Sequence, residues 1–138
     1  MNDDELEELE AGRQMSADPF QIARMFFTAM HWHPESAGEF QFLMTPESLA
    51  AEGRVDMAAA LFRTIERPGI SQKVAYAPGK PHIAYVGVHR GVNTGYVPKG
   101  TRLEDPLYIT LVWRPDCGGW VVHAFGDRIP AEAVPRSA

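Results

Sequence analysis

Two segments near the carboxy terminus, Leu107 to Arg114 and Gly119 to Gly126, constrain the fold more than any other part of the chain. Both are rich in β-branched and aromatic residues, and Pro115-Asp116-Cys117-Gly118 between them reads as a hairpin turn. With Arg114 opposite Gly119, one face carries Ile109, Leu111, Trp113, Trp120, Val122 and Ala124. The other carries Tyr108, Thr110, Val112, Val121, His123 and Phe125. A turn one residue longer would mix these sets, because a one-residue slip sends every side chain to the opposite face. In either register neither face is polar. An antiparallel sheet normally keeps one wet face, so this hairpin needs cover on both sides.

Upstream, the apolar pattern has a helical period. Asp18-Pro19-Phe20-Gln21 combines a capping residue, a first-turn proline and a capping-box glutamine. Ile22, Ala23, Phe26, Phe27 and Met30 follow at helical spacing, and Pro34 predicts an end near His31. Phe40 to Met44 is a short apolar run that suits a strand or an irregular connection. Thr45-Pro46-Glu47 repeats the cap-plus-proline signal and opens a second, short helix that Gly53 would end. Asp56 then caps a third helix through Met57, Leu61, Phe62 and Ile65, which Pro68-Gly69 stops.

From residue 71 the period changes. Residues 71–77 alternate loosely, Pro78-Gly79-Lys80-Pro81 is a turn, and His82 to His89 reads as a strand. Residues 90–106 read as loop with room for a short strand around Tyr96. After Asp127 the Pro- and Ala-rich chain is expected to trail off along the surface. Helices first and an antiparallel meander after predict an α+β fold, with the N-terminal helices packed on one sheet face. The helices are too few to cover two faces. The second face therefore calls for a ligand cavity, a dimer interface, or both.

Leu43-Met44-Thr45-Pro46-Glu47-Ser48, Leu111-Val112-Trp113-Arg114-Pro115 and Trp120-Val121-Val122-His123-Ala124-Phe125-Gly126-Asp127 resemble segments of a group of uncharacterised actinobacterial proteins. More broadly, a capped helix, two short helices and a long curved antiparallel sheet resemble the nuclear transport factor 2-like superfamily. That superfamily, a cystatin-like cone, includes ketosteroid isomerases and SnoaL-type cyclases. The resemblance spans roughly residues 18–135. It implies a pocket between sheet and helices and a sheet-to-sheet homodimer, but no reaction. The Asp base and Tyr/Asp oxyanion pair of the isomerases do not map onto positions of this chain.

Charge narrows the partners. Residues 1–10 hold six acids and no base, which leaves the rest of the chain near neutrality. Residues 1–15 read as a disordered acidic tail, open to a protein partner, and residues 16–138 as one domain. A neutral body lacks the basic field that a phosphate backbone requires, so nucleic acid is not expected. One cysteine, Cys117, suggests a reducing compartment. The acidic start lacks a secretory pattern, and no apolar run reaches a membrane-spanning length. The expectation is a cytoplasmic protein.

His31, Trp32, His33 and Glu35 invite a metal reading, yet residues two apart on a helix diverge by about 200° and no further ligands stand nearby. We expect neither metal nor cofactor. His123 and Asp127 share a strand face under period 2, with His123 opposite Thr110 and beside Tyr108. An imidazole near a carboxylate in an apolar cavity can act as a general base, but a satisfied buried histidine fits as well. Asp127 could instead pair with Arg128 or Arg114. Tyr85 and His89 share a face of their own strand. The pocket-lining candidates are thus Trp32, Tyr85, His89, Tyr108, His123 and Asp127. Two functions fit: a non-enzymatic binding domain that dimerises through its sheet and holds a small apolar ligand in the cone, or a small-molecule isomerase, cyclase or hydratase using His123 or Asp127 as acid/base with a tyrosine donating to an oxyanion.

Overall fold

The computed structural model describes residues 18–32, 42–51, 54–90, 96–97 and 106–135, with residue 4 alone in the acidic arm. Three helices come first: α1 (Pro19–Trp32), α2 (Pro46–Ala50) and α3 (Arg54–Arg63). The strands follow as β1 (Gly69–Ala77), β2 (Lys80–His89), β3 (Tyr96–Val97), β4 (Leu107–Arg114) and β5 (Gly119–Gly126). Their order in the sheet is β3-β1-β2-β4-β5. The four long strands are antiparallel, and the two-residue β3 lies parallel to β1. The fold class is α+β.

The capping signals place the helices. Asp18 Oδ1 accepts from the Phe20 N–H at 2.9 Å, and Thr45 Oγ1 accepts from the Ser48 N–H at 3.2 Å. α2 is shorter than its glycine stop implies and ends at Ala50. α3 begins at Arg54, so Asp56 lies inside the helix and not at its cap. Met57, expected in the core, is 70% exposed. At about 100° per residue, Met57 points away from the face that buries Ala58, Ala59 and Phe62.

The first core lies between the helices and one sheet face. Ile22, Phe26 and Met30 from α1 meet Val86, Val88, Ile109, Leu111 and Val122 there. Phe62 stacks on Phe125 with ring centroids 4.5 Å apart and takes the edges of Phe26 and Phe27 at 6.3 and 5.4 Å.

The hairpin is in the expected register at its turn, where Arg114 faces Gly119 and Trp113 faces Trp120. Pro115–Cys117 forms one 3-10 turn, and Gly118 closes it at φ +79°, a backbone region that suits glycine. Further along, the register shifts. Leu111 faces Val122 but Thr110 faces Ala124, so His123 is the extra residue of a β-bulge. The bulge moves Phe125 opposite Ile109, onto the helix-covered face, and turns His123 to the Thr45 hydroxyl. Period-2 alternation put Phe125 on the other face, because a one-residue insertion inverts the strand beyond it.

The second face is also covered, and by the chain itself. Ala77, Ile83, Tyr85, Val112 and Val121 form a second buried cluster with Val134. Residues 127–135 do not trail off. They fold back as a strap with a 3-10 turn at Ala131–Ala133, and Val134 is buried. Ile129 and Ala131 pack against the same cluster. Among the described residues no helix is long and apolar enough to cross a membrane. The tail at 1–15, apart from residue 4, lies outside the described residues.

Candidate functional site

Two polar arrangements stand out, one at the outer edge of β5 and one under the strap. The first joins α2 to the hairpin. Met44 bridges Val122 in parallel, and the Thr45 N–H donates to the Val122 carbonyl at 2.9 Å, which closes the outer edge of β5. The bulged His123, 5% exposed, brings Nδ1 to 2.9 Å from Thr45 Oγ1 and 3.4 Å from Ser48 Oγ. Ser48 also donates its hydroxyl to the His123 carbonyl. One hydroxyl thus caps the helix and holds the imidazole.

Beside this cluster lies Arg114, whose guanidinium is fully buried. It makes two parallel bonds to Asp116, Nε to Oδ1 at 3.1 Å and Nη2 to Oδ2 at 2.6 Å, and a third to Glu47 on α2. The hydrogen bond from Arg114 holds the Glu47 carboxyl below the usual carboxylate range, with smaller help from its own backbone N–H and the charges of Arg114 and His123, against the cost of burial. Asp116, then Glu47, raise the Arg114 pKa further. The two carboxylates more than offset the charge of the buried cation, and the bond to Glu47 ties α2 to the hairpin. Arg114 pairs with these residues, and Asp127 is an exposed residue at the start of the strap.

The second arrangement lies on the strap side. Tyr85 and Tyr108, on neighbouring strands, meet edge to face with centroids 6.5 Å apart. The Tyr85 hydroxyl donates to the Ile129 carbonyl at 2.8 Å. Arg128 lays its guanidinium over the Tyr85 ring at 4.3 Å and near that of Tyr108 at 5.8 Å. Lys80, the first residue of β2, pairs with Glu132 of the strap at 3.6 Å. A hydrogen bond from its own backbone and the charge of Lys80 hold the Glu132 carboxyl below the usual range.

Between the strap and the β1–β2 turn runs an open groove of about 470 Å³. Ala77, Pro78, Ile129, Pro130 and Ala131 give it apolar walls. Tyr85, Lys80, Arg128 and Glu132 supply the ring and charges. That volume is in the range of small-molecule sites.

Comparison of the chain with protein-family models, curated proteins and solved structures finds no match.

Of the six residues singled out from sequence, Tyr85 and Tyr108 come together on the strap side. His123 turns to α2, and its pairing opposite Thr110 is replaced by Ala124. His89 ends β2, partly exposed, opposite Gly69. Trp32 closes α1, and its side chain, like His33 and Glu35, lies outside the description; His31 stacks on Phe27 at 5.8 Å. Sequence reasoning missed the Arg114–Glu47–Asp116 network and the Lys80, Arg128 and Glu132 set. An arginine in an otherwise apolar strand, next to a Thr-Pro-Glu-Ser cap in need of an anchor, was the available signal for the first. For the second there was none, because the strap itself was read as surface chain.

Proposed function

We propose that this chain is a non-enzymatic binding domain that holds a small ligand in the groove between the strap and the β1–β2 turn. The observation that carries this reading is the groove itself, which joins apolar walls to a few convergent polar groups. The space between helices and sheet, where a cone-type pocket was expected, is occupied by Phe26, Phe27, Phe62 and Phe125. The acid/base reading required His123 and Asp127 on one cavity. His123 is enclosed by Thr45 and Ser48, while Asp127 is exposed at the strap, so the enzyme alternative gains no support.

In this reading the fold is a nuclear transport factor 2-like cone, in support of which stand the capped helices on one face and the bulge that bends β5. The homodimer expected through the second face answered a need for cover. The strap meets that need in the middle of the face, so the binding function requires no second copy there.

Native mass spectrometry of the protein purified from its host tests the reading. A noncovalent adduct near one per chain, lost in an Ala131→Trp variant that fills the groove, is the expected result. An adduct indifferent to that substitution would place the ligand elsewhere and refute the groove as the site.

A further inference from the structure

We propose that the groove selects a small carboxylate-bearing molecule, with Arg128 and Lys80 as its anion-binding pair and Glu132 as an internal occupant that the ligand displaces. This rests on the groove being the ligand site and adds the chemical class. The Arg128 guanidinium carbon lies 4.3 Å over the Tyr85 ring and 5.8 Å from the centre of the Tyr108 ring, a contact with ring faces that spends none of its N–H donors on a carboxylate. Among the described residues no acidic side chain pairs with it. Arg114, at the end of β4, is by contrast saturated by two carboxylates.

Lys80 already has a carboxylate, but the pair is long at 3.6 Å and its side chains are 38% and 77% exposed. Such rim pairs are weak and easily exchanged. The strap thus shows in its own Glu132 the kind of group the groove accepts. With Glu132 in place the three groups sum to one positive charge, which suits a monoanion. A planar carboxylate matches the planar fork of an arginine in a two-bond geometry. The walls of Ala77, Ile129, Pro130 and Ala131 then favour an apolar or aromatic body behind the carboxylate.

The test is a titration of the full-length protein with benzoate, followed by NMR at Arg128 Nε–H and the Ile129 methyls. Benzamide serves as neutral isostere and inorganic phosphate as a second anion, at constant ionic strength. Saturable shifts with benzoate and none with benzamide are expected. Arg128→Gln should weaken binding about ten-fold, and Lys80→Gln should weaken it less. Glu132→Gln should tighten it about three-fold, as its competitor is removed. Equal binding of benzamide overturns the carboxylate assignment while leaving the groove as a small-molecule site. Phosphate shifting the same signals where benzoate does not overturns it in favour of a tetrahedral anion. No saturable shift with benzoate, even in Glu132→Gln, overturns the anion pair; an A131W-sensitive adduct in native mass spectrometry would then still support the binding reading.

Discussion

Thr110 and Thr45 are both fully buried, yet their hydroxyls differ in worth. Thr45 Oγ1 caps α2 and holds His123, whereas Thr110 Oγ1 has no hydrogen-bond partner among the described residues. A buried hydroxyl without a partner costs stability that an isosteric methyl group recovers. We expect Thr110→Val to stabilise the fold by about 1 kcal/mol and Thr45→Val to destabilise it by about 1–2 kcal/mol, measured by urea unfolding. At the same scale, Glu47 has a carboxyl pKa depressed by Arg114, so its contribution is present above the ordinary value of 4.5 and is lost as pH falls through the lower folded value. Wild-type stability should therefore decline on acidification in that window. An Arg114→Leu variant should be less stable at pH 7 and show a flatter acid limb. An identical pH profile in the two proteins would mean that the pair contributes nothing.

At the scale of elements, the helices and the two long hairpin strands were legible in the residues. Local chemistry decides both: a cap followed by proline starts a helix, and β-branched runs around a tight turn make a hairpin. The bulge at His123 was not legible, because it answers a tertiary demand. It lets Val122 stay on the core side while His123 turns to Thr45 on α2 and Phe125 reaches Phe62. The start of α3 at Arg54 escaped for a related reason, since packing of Ala58, Ala59 and Phe62 outranks a plausible cap at Asp56. The strap was hidden most completely. Ile129, Ala131 and Val134 lack any regular period, and only the apolar second face gives them a place. Val134→Ala, which removes two buried methyl groups, should cost about 1.5 kcal/mol by thermal unfolding. A loss within experimental error would mean that the strap is not packed as described.

At the scale of the whole molecule, the apolar second face was correctly recognised as a surface in need of cover, while the source of the cover was not legible. The strap buries the centre of that face and leaves a groove at its margin. Elsewhere Tyr76 and Trp113 remain 51% and 40% exposed around Trp120, on the helix side of the sheet. Removing residues 127–138 should expose Ile83, Tyr85, Val112 and Val121 together. We expect the truncated chain to bind a hydrophobic dye and to self-associate in sedimentation velocity, unlike the full chain at the same concentration. The covering strap, on which both the groove and the proposed ligand site depend, is tested most directly by methyl NOE spectroscopy on the full-length protein. Cross-peaks from the Val134 and Ile129 methyls to Ile83, Tyr85 and Val112 are the expected result. Random-coil shifts for those methyls, with no such cross-peaks, would contradict it and leave the second face open.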